Sequence, residues 1–317
     1  MGSFGRREFL IGGASLLTLA QPLFAEVPAV LADSDAIGQG KMLVVAETSQ
    51  GRVLAFDSSA RNYPLEQATT RDVVIVGSYC GTSIMGRLFS LGVRGFVALD
   101  AGIGKDGAGI TALETGDELG VPVVAIAAMS AEAANGRSAA MGEISCINEH
   151  AAALGIKPGM PAYEAAGRVL GNAPVGRPVP MKTSIDEKPQ VVEATAKGKI
   201  WVSTSSFVFK DKKMSNDVVC IGANSGRVLM ESLVEFMPRG AISNDAGIGK
   251  NNSCVEGVLM AVTLGIAAAS VSTMSARIGE GMSTWRDGVI SVTNSIADDR
   301  GVRVGMTAKE AARLMLG

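Results

Sequence analysis

The sequence predicts two fused α/β domains, each a three-layer unit with a mainly parallel sheet. The first observation is a repeated turn: residues 100–105 read Asp-Ala-Gly-Ile-Gly-Lys and recur unchanged at 245–250. The second is that residues 72–106 and 217–251 are identical at 15 of 35 positions without a gap. The third is an alternation of short apolar runs with helix-like stretches, which is typical of a parallel sheet covered by helices on both faces.

The composition supports this class and excludes several kinds of function. Apolar residues make up 47% of the chain and aromatic residues only 4%, while 39 glycines serve the turns between strands and helices. The net charge is −2 with acids and bases interspersed, so no nucleic-acid-binding face is expected. One histidine and four scattered cysteines offer no metal-ligand cluster, and we expect neither a metal nor a cofactor.

Residues 1–32 are predicted to be an export signal rather than part of the fold. Arg6 and Arg7 precede an apolar run over residues 10–20, an order typical of a twin-arginine signal, and the run is too short to span a bilayer. The alternative is a chance arginine pair before an apolar segment. The signal predicts a periplasmic or secreted protein without stable membrane insertion after signal removal. The candidate cleavage sites follow Ala20, Ala25 and Ala32.

The elements of the two repeats follow from short apolar runs, glycine stops and helical spacing. In the first repeat, 37–170, strands are predicted at 41–46, 52–56, 72–77, 95–99 and 121–127, and helices at 84–91, 108–119, 144–154 and 162–170. The second repeat, 191–317, restarts with strands at 199–202, 217–222 and 266–271, and Thr307 and Glu310 have capping-box spacing. The proline-rich stretch 171–190 is a linker. Duplicated halves commonly pack about a pseudo-two-fold axis, and a homo-oligomer is also compatible with the sequence.

The repeated turn carries the predicted site. A glycine-bearing turn between a strand and a helix points backbone N–H groups at one spot, and Lys105 or Lys250 adds a positive charge there. Such a turn can hold a small anion or stabilise an oxyanion. Asp100 and Asp245 end their strands, where they can move a proton or, alternatively, bond the amides of their own turn. The glycines that would bind substrate are Gly102, Gly104, Gly247 and Gly249.

Further candidate residues lie close to the turns in sequence. Arg277 can clamp a carboxylate or be an ordinary surface arginine, and because Lys250 belongs to the same half, we expect the two to act together in the better site. Cys80 stands at a predicted helix start, where a thiol pKa tends to fall, but it lacks a base. Ser145 and Asn148 are expected to share a helix face. The other predicted substrate-binding side chains are Asn244, Ser275 and Ser78.

These motifs resemble those of a family of uncharacterised bacterial proteins. The resemblance rests on a Gly-Ser-x-x-Gly turn at 77–81, Asn-Asp-Ala-Gly-Ile-Gly-Lys at 244–250, Ser-Ala-Arg-Ile-Gly at 275–279 and Gly-Val-Ile-Ser at 288–291. It covers most of each half and implies common descent but no activity. In the family the first turn usually reads Gly-Ser-His-Gly-Gly, whereas this chain has Tyr79 and Asn224 at the histidine position. An acid–base role of that histidine would be absent here or taken by Tyr79.

Two classes of function follow from the sequence. One is an exported enzyme that acts on a small carboxylate, amide or cyclic amide, with the lysines stabilising an oxyanion; hydrolase, lyase and isomerase chemistry all stay open. The alternative is a non-catalytic exported protein that binds a small anionic metabolite. We expect the enzyme, because fused halves can specialise after duplication, while the missing histidine favours the binding protein.

Overall fold

A computed structural model of the protein describes residues 24, 26–32, 42–60, 63–183 and 187–317. Within these residues the chain forms two α/β domains, each with a six-stranded sheet. The four inner strands of each sheet run parallel and the two outer strands run antiparallel to their neighbours. The predicted duplicated α/β architecture with mainly parallel sheets is confirmed.

The first domain has its strands side by side in chain order. Its elements are α1 (Ala29–Ala32), β1 (Leu43–Thr48), β2 (Gly51–Phe56), β3 (Val73–Tyr79), α2 (Thr82–Leu91), β4 (Gly95–Leu99), α3 (Ala112–Leu119), β5 (Val123–Ile126), α4 (Gly136–Met141), β6 (Ile144–Ile147), α5 (Glu149–Ala153) and α6 (Ala162–Asn172). Short 3-10 turns occupy Leu65–Gln67 and Lys105–Ile110.

The second domain repeats this order. Its elements are β7 (Gln190–Thr195), β8 (Gly198–Ser203), β9 (Val218–Asn224), α7 (Arg227–Phe236), β10 (Gly240–Asn244), α8 (Glu256–Met260), β11 (Ala267–Val271), α9 (Gly281–Asp287), β12 (Ile290–Thr293), α10 (Ser295–Asp299) and α11 (Ala308–Leu316). The strand registers also correspond, since Val53 opposes Val73 and Ile200 opposes Val218. The predicted capping box of Thr307 and Glu310 is present at the start of α11.

Each sheet buries both faces, as a continuous apolar strand requires. In β3, Val73 and Ile75 face the layer of α4 and α6, whereas Val74 and Val76 face α2 and α3. At the start of the strand, buried Asp72 accepts hydrogen bonds from Arg52 and Thr69. Burial alone would raise the pKa of this carboxyl, but the hydrogen bonds outweigh it and hold the pKa below its usual value.

The prediction of a helix over 144–154 is wrong in its first half. Ile144–Ile147 is a strand that pairs antiparallel with β5, and Asn148 is the N-cap of the short helix α5. Ser145 therefore lies in a strand, and the spacing of three residues to Asn148 does not place the two on a helix face. The buried carboxamide of Asn148 instead accepts from Val123 N and Ala151 N. Strand pairing with β5 overrides the helical pattern here.

The two segments outside the sheets pack on the first domain. In the linker, Val179 N donates to the carbonyl of Phe89 at the end of α2. In the N-terminal segment, Leu31 is buried and its carbonyl accepts from Arg137. The ring of Phe24 packs edge-on against Tyr163. The twin-arginine pattern itself lies outside the described residues. In the part of the chain that is described, no helix is long and apolar enough to cross a membrane.

Candidate functional site

The two copies of the repeated turn meet at the junction between the domains. A Cβ atom placed on Gly102 would lie 3.1 Å from the Cα of Gly247, so the two backbones are in contact. Both glycines have left-handed backbone, with φ of 69° and 74°. A left-handed turn in close contact with a second backbone accepts glycine far better than any other residue. The junction therefore explains why these glycines are present in both halves.

Reciprocal hydrogen bonds relate the two turns by a pseudo-two-fold axis. Lys105 N donates to Thr273 O at 2.8 Å, and Lys250 N donates to Ala128 O at 3.0 Å. Thr273 and Ala128 occupy equivalent positions of the repeat, 145 residues apart. Each half thus gives the other the same contact that it receives, which is the pattern of an isologous interface.

The carboxylates of Asp100 and Asp245 hold this junction together. Asp100 Oδ1 accepts from Gly102 N at 2.8 Å and from Ala128 N at 2.9 Å. Asp245 Oδ1 accepts from Gly247 N at 3.1 Å and Thr273 N at 2.8 Å, and its Oδ2 accepts from Ser291 Oγ at 2.8 Å. Both side chains are buried. These bonds match the alternative in which the aspartates bind the amides of their own turn.

Most backbone N–H groups of the turns donate to acceptors inside the protein. Gly104 N donates to Gly102 O, and Gly249 N donates to Gly247 O. Ile103 N and Ile248 N donate to the carbonyls of the two aspartates. An anion at either turn would therefore depend on the lysine side chains rather than on these amides.

The two lysines differ in their surroundings. Lys105 Nζ forms an ion pair with Asp287 Oδ2 at 3.1 Å. A hydrogen bond from Ser283, together with the ammonium of Lys105, lowers the pKa of the Asp287 carboxyl. Lys250 is exposed, and within the described residues its ammonium forms no ion pair. The lysine of the first turn is thus fixed by the second domain, while the lysine of the second turn faces solvent.

Arg277 belongs to the first turn rather than the second. Its Nη1 donates to Asp106 Oδ2 at 3.0 Å and its Nε donates to Glu280 Oε1 at 2.7 Å. These carboxylates raise the pKa of the guanidinium, Glu280 more than Asp106. The expectation that Arg277 acts together with Lys250 is not supported, because its contacts lead across the junction to the other half. We call Lys105, Asp106, Arg277, Glu280 and Asp287 the Arg277 cluster.

The equivalent place on the other side of the axis has its donors and acceptors exchanged. Glu132 stands where the second half has Arg277, and it accepts from Asn251 Nδ2 at 2.7 Å and Asn135 Nδ2 at 2.9 Å. Asn251 corresponds to Asp106 and Asn135 to Glu280. We call Glu132, Asn135 and Asn251 the Glu132 cluster. The same geometry is thus built once around a cation and once around a carboxylate.

The other predicted binding residues, Asn244, Ser275 and Ser78, form hydrogen bonds with backbone atoms, and Ser78 also lines a cavity. Asn244 is fully buried; its Oδ1 accepts from Ala246 N and its Nδ2 donates to Ala276 O. Ser275 Oγ donates to Ser272 O and accepts from Val289 N. Ser78 Oγ accepts from Ser59 N at 2.9 Å and faces an interdomain cavity.

A groove of about 460 Å³ runs along the Arg277 side of the junction. Both halves and the linker line it, and the lining residues used below are Ser83, Thr111, Glu187, Lys188, Thr204, Arg277 and Glu280. The groove lies in the volume range of small-molecule sites. Ser83, Thr111 and Thr204 could not be identified from the internal repeat, because each is a small polar residue outside the repeated motifs. The linker residues Glu187 and Lys188 have no counterpart in the repeat that could have identified them.

The candidate nucleophile Cys80 is not activated. Its side chain is fully buried, and burial raises the pKa of the thiol, which is opposite to the tendency of a helix start to lower it. Burial also raises the pKa of nearby Tyr79 to about 12, and its hydroxyl lies 2.7 Å from Ser83 Oγ. The histidine of the chain, His150, is on helix α5, where Nε2 lies 3.3 Å from the carbonyl of Asp117. No imidazole therefore contributes to the groove.

Comparison of the chain with protein-family models, with curated proteins and with solved structures gave no match. We therefore compare the two halves of the chain with each other. They agree at the turns that form the junction and differ where Arg277 replaces Glu132. This difference singles out the Arg277 side of the junction as the candidate functional site.

Proposed function

We propose that the protein binds a small, neutral amide or cyclic amide in the groove beside the Arg277 cluster. The observation that carries this proposal is a partly satisfied guanidinium in a groove lined by both halves. An arginine has five N–H donors, and Arg277 uses two of them on Asp106 and Glu280. In the described part of the chain, its Nη2 group donates no hydrogen bond. A carbonyl oxygen of the ligand supplies the missing acceptor.

The charge around the groove favours an amide over an anion. The cations that line it are Arg277 and Lys188, and the carboxylates are Glu187 and Glu280. Asp106 adds a third carboxylate through its ion pair with Arg277. With the ion pair of Lys105 and Asp287, the other members of the Arg277 cluster, three cations stand against four carboxylates, so the groove has no excess of positive charge. A carboxylate ligand would therefore have to displace an existing partner of the arginine, whereas a neutral carbonyl would not.

The carboxylates of Asp106 and Glu280 also hold the Arg277 side chain in one orientation. Its side chain is about one third exposed, so each ion pair contributes no more than about 1 kcal/mol to stability. Their larger effect is to hold a long, flexible side chain in one rotamer, which lowers the entropy lost on binding. The hydroxyl groups of Ser83, Thr111 and Thr204 offer further hydrogen bonds along the same wall.

Turnover of the amide is the second candidate, and the hydroxyl pair of Tyr79 and Ser83 is the observation that favours it. Ser83 lines the groove, and Tyr79, with its raised pKa, stays protonated and can donate a hydrogen bond. A serine nucleophile, however, needs a base. Of the two carboxylates that line the groove, Glu280 is engaged by Arg277, and Glu187 accepts from Thr204 Oγ1. Binding without chemistry is therefore the better supported function.

Calorimetric titration of the full chain tests this proposal. We expect N-acetylglycinamide, 2-pyrrolidinone and hydantoin to bind more tightly than acetate or succinate. Arg277→Gln removes a charge-assisted hydrogen bond and is expected to weaken amide binding roughly 10- to 100-fold. Lys250→Gln is the matched control, because it removes a cation from the other side of the junction, and its affinity is expected to be that of the native protein.

The outcomes separate the two candidates. Amide that is recovered unchanged after hours with the protein supports binding, and its consumption would move the assignment to an enzyme. Equal loss of affinity in Arg277→Gln and Lys250→Gln, or preferential binding of the carboxylates, would contradict the proposal.

A further inference from the structure

A second, smaller cavity of about 70 Å³ lies between the domains at the carboxyl ends of β3 and β9. Its lining comes from equivalent positions of the two halves: Ser78 and Ala223, Tyr79 and Asn224, and Ile84 and Leu229. The cavity therefore straddles the pseudo-two-fold axis. Its volume is several times the roughly 10–15 Å³ that one water molecule requires, so it can hold a chemical group of several atoms.

The wall of this cavity is mostly apolar. Most of its hydroxyl groups are already engaged: Ser206 Oγ donates to Ser232 Oγ, Ser205 Oγ accepts from Phe207 N, and Ser58 Oγ accepts from Ala60 N. Tyr79 and Ser78 are engaged as described above. The remaining surface comes from the ring of Phe207, from the carboxamide of Asn224, whose Oδ1 accepts from Gly226 N, and from aliphatic side chains, of which Leu229 and Val228 belong to helix α7. An apolar group would enter here without breaking the hydrogen bonds of these hydroxyl groups.

The cavity adjoins the groove. Thr204 lines both. The hydrogen bond between Tyr79 and Ser83 lies in the wall between them, because Tyr79 lines the cavity and Ser83 lines the groove. A Cβ atom on Gly279 would lie 2.9 Å from Tyr79 Oη and 2.7 Å from Ser83 Oγ, so the Arg277 loop closes over the same pair. Thr204 and the Tyr79–Ser83 pair therefore form the boundary that the groove and the cavity share.

We propose that the cavity is a subsite for a compact aliphatic substituent of the ligand whose amide group lies in the groove. This inference rests on the proposed function and narrows it to amides that carry a small branched side chain. In the groove, Arg277 and the hydroxyl groups contact the amide. In the cavity, the side chains of Val228, Leu229 and Ile84 contact the substituent.

A series of neutral amides with increasing side chains tests the subsite. We expect the affinity of the native protein to rise from N-acetylglycinamide through N-acetylalaninamide to N-acetylvalinamide, about fourfold for each carbon that enters the cavity. Val228→Phe fills the cavity and is expected to abolish this rise while leaving the affinity for N-acetylglycinamide unchanged. Val234→Phe is the matched control on the same helix, because Val234 is 54% exposed, and the rise is expected to persist there.

Ala223→Leu fills the cavity from β9 and provides a second variant should Val228→Phe fail to fold. Affinities of the native protein that do not change along the series would overturn the subsite while leaving the proposed function standing. A rise that persists in both filled variants would also overturn it. Absence of binding by every amide would refute the proposed function, and the subsite with it.

Discussion

Replacing Asp245 by alanine and by asparagine tests whether this carboxylate is structural or catalytic. Its Oδ1 accepts from Gly247 N and Thr273 N, and its Oδ2 accepts from Ser291 Oγ. Alanine removes all three acceptor contacts. Asparagine keeps the Oδ1 acceptor, and its amide nitrogen can donate to the serine hydroxyl instead.

The magnitudes separate the two substitutions. A buried donor left without an acceptor costs about 1–3 kcal/mol, and Asp245→Ala leaves two backbone N–H groups in that state. We therefore expect Asp245→Ala to lower the free energy of unfolding by roughly 2–5 kcal/mol. Asp245→Asn exchanges charge-assisted bonds for neutral ones and is expected to lose about 1 kcal/mol.

Equilibrium unfolding in urea, followed by tryptophan fluorescence, measures this difference. Both tryptophans, Trp201 and Trp285, lie in the second domain, so the signal reports the domain that contains Asp245. Asp299→Ala, at an exposed position of α10, is the control and is expected to change the free energy by less than about 0.5 kcal/mol. If alanine is tolerated as well as asparagine, the structural role is refuted. If asparagine keeps the fold but abolishes amide binding or turnover, the carboxylate acts on the ligand.

Three further predictions concern the junction, the pH dependence and the N-terminus. Gly247→Ala is expected to destabilise the protein more than Gly265→Ala. Both positions have φ above +70°, but only a Cβ at residue 247 would lie against the other turn, 3.0 Å from the Cα of Gly102. Thermal unfolding of the two variants measures the difference, and equal losses of stability would contradict the contact. The pKa of Asp72 is lowered in the folded protein, so the carboxylate stabilises the fold fully above the unfolded pKa of about 4, and this stabilisation is lost as the pH falls through the folded pKa. In Asp72→Asn, the free energy of unfolding measured in urea is therefore expected to fall less between neutral and acid pH. A pH profile identical to that of the native protein would refute this. If the chain is exported and cleaved, we expect cleavage after Ala20, since Phe24 packs against Tyr163 and Leu31 is buried in the first domain. Mass spectrometry of the mature protein measures its first residue, and a chain that starts at residue 26 or 33 would contradict this.

The internal repeat made the architecture predictable from the sequence. A duplicated pattern of strand, turn and helix defines two similar domains and an axis between them, and the structure contains both. Most predicted strands lie within a few residues of the observed ones because their apolar runs are continuous. The error at residues 144–147 arose because a four-residue run does not distinguish a short edge strand from the start of a helix.

The arrangement of the site was less predictable, for a geometric reason. The sequence places Arg277 and Lys250 in the same half, and proximity in the chain suggested a shared site. The axis instead brings the loop of one half to the turn of the other, so Arg277 meets Asp106. A repeat identifies equivalent positions, but it does not say whether equivalent contacts form within a half or between halves. The linker residues that line the groove have no equivalent in the other half, so the repeat could not identify them as site residues.

A crystal structure of the protein grown with N-acetylvalinamide is the most direct test of the central claim that one ligand spans the groove and the interdomain cavity. We predict an amide oxygen within hydrogen-bond distance of Arg277 Nη2 and the isopropyl group beside Val228 and Leu229. An amide bound at the exposed Lys250 turn, or an isopropyl group directed into solvent with the cavity unchanged, would contradict the claim.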